Sequence, residues 1–129
     1  MNLENIALSL IYPILQDGTK IKIGKFDNTK EKIVLLKDHE RQINHNVYND
    51  SKKVYEQKHL QLIIRWNDSY SDTEEASEEI YNKLKNIKNF IIDDTEIIFI
   101  KMDNESSKVN QRSEEIFERY IDFVIYYKV

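Results

Sequence analysis

The chain has 129 residues, 40% of them hydrophobic and 33% charged, and a formal net charge of −4. That is one ordinary domain's length, able to hide about two-thirds of its unfolded surface, and too apolar for a disordered chain. It has no cysteine, which excludes disulfides and thiolate metal sites, and two glycines, which excludes a phosphate-cradling loop or a dinucleotide fingerprint.

Leu3, Ala7, Leu10 and Ile14 recur at helical spacing, with Ile6 and Ile11 widening the stripe, so residues 2–15 predict an amphipathic helix. Pro13 falls near its end and Asp17-Gly18 closes it. This stretch lacks the basic leader of a signal peptide, and no other segment reaches the ~20 apolar residues of a membrane span, so a soluble intracellular protein is expected. "TKIKIGKF" then alternates Ile21 and Ile23 with lysines, the period of a half-buried strand, and "KIVLLK" supplies a second. Residues 38–57 are polar and without sustained periodicity, and predict a long loop or a mobile hairpin. "KHLQLIIRW" is a third strand, with Leu60, Leu62 and Ile64 on one face and Ile63 on the other.

Residues 71–87 predict a second helix. Ser71 and Glu74 have capping-box spacing, acids crowd the first turn, and Lys83, Lys85 and Lys88 gather at the end, as the helix dipole favours. Ala76, Ile80, Leu84 and Ile87, with Tyr81, form its buried stripe. The turn-like Asp93-Asp94 precedes a fourth strand, "TEIIFIKM". A second long loop covers residues 103–114, and "IFERYIDFVIYYKV" makes a fifth strand of about a dozen residues. That length predicts a strand that reaches past its own sheet or supplies an edge to a neighbour. The order α-β-β-β-α-β-β implies one α+β domain over residues 1–129: a mostly antiparallel or mixed sheet of about five strands, with two helices on one face. A right-handed crossover through the second helix is expected if strands three and four run parallel.

Candidate chemistry is sparse. His39 and His45 lie six apart, which matches neither a helical metal pair nor a zinc-finger spacing, so exposed loop histidines are the simpler reading and no metal or other cofactor is expected. No serine sits in a nucleophile elbow, and adjacent acids such as Glu114-Glu115 are explained as solvated surface. "KIKIGKF" interleaves Lys20, Lys22 and Lys25 with apolar residues, as strands that bind single-stranded nucleic acid do, but the solvent face of a two-sided strand explains the same lysines and the acidic balance argues against a phosphate groove. The charge is uneven: residues 1–66 carry 11 basic and 8 acidic side chains, and residues 67–129 carry 8 and 15. Such asymmetry favours head-to-tail contact between identical copies, although scattered surface charge gives the same counts.

"HLQLIIRWNDSYSDTEEASEEIYNKLKNI", an apolar strand ending in Arg, a polar turn and a capped helix, resembles the central block of phage tail terminator proteins, also described as minor capsid or tail completion proteins. An N-terminal helix of the "IALSLIYPIL" kind and a polar loop before the aromatic-rich "ERYIDFVIYYKV" extend the resemblance over residues 3–128. The chain departs from the family pattern in its more charged 38–57 segment and its scarcity of loop glycine and proline. The resemblance implies a non-enzymatic protomer, assembled in the bacterial host cytoplasm, that forms a ring, usually a hexamer, on the tail tube of a virion or tail-like particle. Such a ring ends tube polymerisation and meets a head-tail connector or a sheath. Its implied partners are further copies of itself and the tube protein, with no membrane and no specific nucleic acid. Lys20, Lys22, Lys25, His39, Arg41, Tyr48, Tyr55, Glu114, Glu115 and Tyr126 are the expected interface residues. A small nucleic-acid-binding or adaptor domain is the alternative reading.

Overall fold

The computed structural model describes residues 2–25, 32–39, 47–49, 52–66, 69–102, 109–113 and 116–128. Apolar periodicity folds the first segment as expected, but not as one regular helix. α1 (Leu3–Ile6) passes into a π-helical turn (Ala7–Ile11) and a 3₁₀ turn (Tyr12–Ile14) that carries Pro13. Asn2 caps α1 by accepting the Asn5 N–H at 2.8 Å. The wider turn still brings Ile6, Ala7, Leu10 and Ile11 to one buried face. Gly18, at φ 84°, reverses the chain in a conformation that only glycine adopts without strain.

Among the described residues eight strands follow: β1 (Lys20–Ile23), β2 (Ile33–Asp38), β3 (Val47–Asn49), β4 (Lys52–Arg65), β5 (Lys88–Ile92), β6 (Thr95–Met102), β7 (Asn110–Ser113) and β8 (Ile116–Lys128). Six form the sheet in the order β1-β2-β4-β8-β6-β5, with β3 paired to β4 and β7 paired to β8. Only β1 and β2 run parallel among these pairs, so the sheet is mixed. The class is therefore α+β, as the pattern predicts, with three strands more than expected. β5 was hidden because four of its five residues are exposed, and β3 and β7 because they are short and polar. β4 begins at Lys52, inside the stretch expected to be a long loop or a hairpin, and β3 pairs antiparallel with it there, while β7 lies inside the second expected loop.

Of the two expectations for the long last strand, that it supplies an edge to a neighbour is corrected. β8 sits in the middle, paired to β4 from Glu118 to Lys128 and on its other side to β6 and β7. Its length matches that of β4, and the two brace each other. β4 and β6 point the same way with β8 between them, and β5 intervenes in the connection through the second helix.

That helix, α2 (Tyr70–Lys85), packs with the N-terminal turns against one face of the sheet. Its buried residues are Thr73, Ala76, Ser77, Ile80, Tyr81 and Leu84, and Ile87 is half-buried against the same core. They meet Val34, Leu36, Leu60, Leu62, Ile64, Ile121, Phe123 and Ile125 from the sheet, while Ile63 is buried outside this cluster, on the other face. The cap is Ser69, not Ser71. Ser69 has extended backbone, its Oγ accepts the Asp72 N–H at 3.3 Å, and its carbonyl accepts the Thr73 hydroxyl at 2.8 Å. Both serines have an acid three residues on, so spacing alone could not choose between them. Ser69→Ala should cost about 1 kcal/mol and Ser71→Ala only a few tenths, a difference that urea midpoints will resolve.

Candidate functional site

Charged groups enter the sheet at three positions of its central strands, and each is held by the register. Arg119 alternates with Ile121 and Phe123 and so faces α2, where it is buried. It donates to Ser77 Oγ at 3.1 Å and Glu78 Oε1 at 2.6 Å, and its guanidinium lies 5.7 Å from the centre of the Tyr81 ring. Glu78, an acid that reads as plain helix surface, thus ties α2 to β8.

The other face carries rows across β2, β4 and β8. Ile33, Arg65 and Glu118 make one row, Leu35, Ile63 and Tyr120 the next, and Lys37, Gln61 and Asp122 a third. Arg65 is buried and donates through Nη2 to Glu118 Oε1 at 2.6 Å and through Nε at 3.2 Å. The Tyr120 hydroxyl donates to Glu118 Oε2 at 3.2 Å, and Gln61 donates to Asp122 at 2.9 Å. Lys37, His39, Gln61, Ile63 and Tyr120 surround a hollow of about 240 Å³. The carboxylates beside it are engaged by guanidinium, phenol and amide donors, so the arrangement offers a shaped polar surface.

The described ones among the expected interface residues lie at separate places in the sheet. Lys20 and Lys22 lie on β1 at one sheet edge, with Lys25 just beyond it. His39 follows β2, its Nε2 3.5 Å from Asp122 Oδ2. Tyr55 pairs in register with Lys128, and Tyr126 stacks on Phe99 with ring centres 4.4 Å apart. Tyr48 lies in β3, its side chain outside the described residues, as are Arg41, Glu114 and Glu115.

Two features escaped the sequence reading: the buried arginines, whose signal was a charge inside an apolar run, alone in "IIRW" and beside Glu118 in "FERY", and the exposed apolar groups of the β5 side. Ile91 is 66% exposed, and Phe90 and Phe99 are also open to solvent. Ionisation is perturbed at Glu79, lowered by the hydrogen bond from Lys83 and then that from Gln16, and at Tyr127, raised by burial. The first belongs to a surface ion pair and the second to packing. Among the described residues no group of three or more His, Asp or Glu side chains could hold a metal ion, and no helix is long and apolar enough to cross a membrane.

Two comparisons bear on this arrangement. A family model described as "Bacteriophage tail terminator protein" matches residues 12–129. Among curated proteins nothing matches the chain.

Proposed function

Because the chain belongs to the bacteriophage tail terminator family, a family of structural tail components, we propose that it forms a closed ring of identical subunits on the end of the tail tube. There it ends tube polymerisation and presents a surface to the head-tail connector, or to a sheath. Six copies are the expected ring, and the host cytoplasm is the place of assembly. The family match over nearly the whole chain carries this reading. The geometry supports it through two unlike sheet edges on one subunit, because closing a ring requires each copy to offer two different patches. Catalysis forms no part of the proposal.

In this reading Lys20, Lys22 and Lys25 form the basic edge of the subunit contact, with His39, Tyr55 and Tyr126 on the face opposite the helices as contacts for neighbouring tail proteins. Arg41, Tyr48, Glu114 and Glu115 extend the same assignment.

Purified tail tubes test the proposal. The protein should bind one tube end as a ring in electron micrographs and stop tubes from lengthening when added to polymerising tube subunits. Free in solution, light scattering after size exclusion should give a ring or a monomer that becomes one on tubes. A protein that ignores tubes, stays monomeric and retards single-stranded RNA in a salt-dependent way would support the nucleic-acid-binding alternative instead. Reversing all three lysines, Lys20→Glu with Lys22→Glu and Lys25→Glu, should leave the melting transition in place while weakening ring formation. Unaltered assembly would remove the basic edge from the contact.

A further inference from the structure

Within the ring reading, on which this inference rests, we propose that successive copies join by continuing one sheet, β5 of each copy pairing in parallel with β1 of the next.

Strand direction is the first argument. Crossing from β2 to β5 passes four antiparallel steps, and β1 is parallel to β2, so β1 and β5 run the same way in the sheet. A cyclic axis repeats each copy without turning it over. The β5 edge of one copy and the β1 edge of the next therefore meet in parallel, with the helix-covered face kept on one side. A two-fold axis would instead make antiparallel β1–β1 or β5–β5 pairs.

Main-chain groups limit the register to steps of two residues, and the side chains choose among them. Lys20 and Gly24 donate their N–H groups to Lys32 and Leu36 of β2, so by alternation Ile21 and Ile23 turn theirs outward. On β5, Asp93 and Asp94 both have positive φ and form a two-residue type I′ turn closed by Ile92 and Thr95. The ladder to β6 then uses Ile92 and Phe90, and Ile91 between them points its N–H and carbonyl away from the sheet. Set in parallel with Ile91 opposite Lys22, the Ile91 N–H reaches the Ile21 carbonyl and the Ile23 N–H reaches the Ile91 carbonyl.

The same register satisfies the side chains. Phe90 falls beside Ile21, and Ile92 beside Ile23, all on the helix-covered face, where Ile21 and Ile92 already touch the core. On the other face the Lys22 stem covers Ile91, the most exposed large apolar residue in the structure. Lys25 and the Asp93-Asp94 turn arrive at the same end of the junction. β1 against itself would gather Lys20, Lys22 and Lys25 from both copies, and the repulsion disfavours that pairing. β5 carries one edge charge, Lys88, and Asn89 at positive φ, but beyond them it contains no proline and leaves Phe90 and Ile91 exposed.

A chain without cysteine permits a background-free test. Lys22→Cys and Ile91→Cys variants are prepared separately, assembled on tail tubes and treated with a mild oxidant. Mixed, they should give a disulfide-linked dimer on a denaturing gel, because adjacent strand partners lie within disulfide reach, and each alone should give none. A dimer from either variant alone, or none from the mixture while micrographs still show rings, overturns the parallel junction and leaves the ring reading standing. Absence of rings from the unmodified protein overturns both. Independently, Ile91→Pro removes an N–H that β6 does not use, so the subunit should melt as before and lose ring formation. Rings that persist in Ile91→Pro also overturn the proposal.

Discussion

Deleting residues 121–129 is expected to abolish the cooperative melting transition and leave a far-ultraviolet spectrum without native sheet. Ile121, Phe123 and Ile125 are at most 1% exposed and stand where the two helices meet the sheet. Truncating a large buried side chain typically costs ~2–5 kcal/mol, and three of them together exceed much of the ~5–15 kcal/mol by which a domain is stable. The backbone loss is as serious. β8 separates β4 from β6, so its removal leaves β1-β2-β4 and β6-β5 as two sheets with no ladder between them. Phe123→Ala alone, at a fully buried position, should cost about 3–5 kcal/mol by urea titration. A deletion variant that melts like the full chain would show that β8 is an external arm and that the sheet order is different.

Glu118→Ala should be the most damaging substitution of a charged residue, at about 3–5 kcal/mol. Arg65 and Glu118 are both buried, and cutting away the carboxylate removes the charge that lies 2.6 Å from the buried guanidinium. The Tyr120 hydroxyl loses its acceptor in the same change. Replacing both charges, Arg65→Met with Glu118→Met, should restore most of the loss, since a paired buried charge gives little net stability over apolar packing. A double-mutant cycle measures the difference. If the double variant is as unstable as the sum of the singles, the pair is not coupled and its role is misassigned.

Much of the architecture is legible in the chain because burial imposes a period. The stripe from Leu3 to Ile14, the faces of β4 and the stripe of α2 follow directly from apolar spacing. Spacing fails where the environment is set by a partner distant in sequence. β5 shows no pattern because its residues face solvent, and only the positive φ of Asp93 and Asp94, reached without glycine, makes it one arm of a hairpin. β3 and β7 exist because β4 and β8 overhang their neighbours and offer unpaired backbone. The conversion of the N-terminal helix to π and 3₁₀ turns has no signal beyond Pro13. For the interface, the lysines of β1 could be proposed from sequence, but not that β1 is an edge strand or that β5 is the opposite one. That β5 is the opposite edge of the same sheet depends on β8 inserting between β4 and β6.

That insertion also orders events during synthesis. As the ribosome extends the chain, β1, β2 and β4 can gather into one flap and β5 with β6 into another, each with an apolar surface open and no means of joining. Only when residues 116–128 emerge can the two flaps be stitched together, by contacts that span most of the sequence and form slowly. Until then the subunit lacks a finished body, and copies held at that stage are exposed to aggregation. A nascent chain tethered so that residue 116 is still inside the exit tunnel should be digested quickly by protease, and one held by a C-terminal linker long enough to bring residue 128 out of the tunnel should resist it.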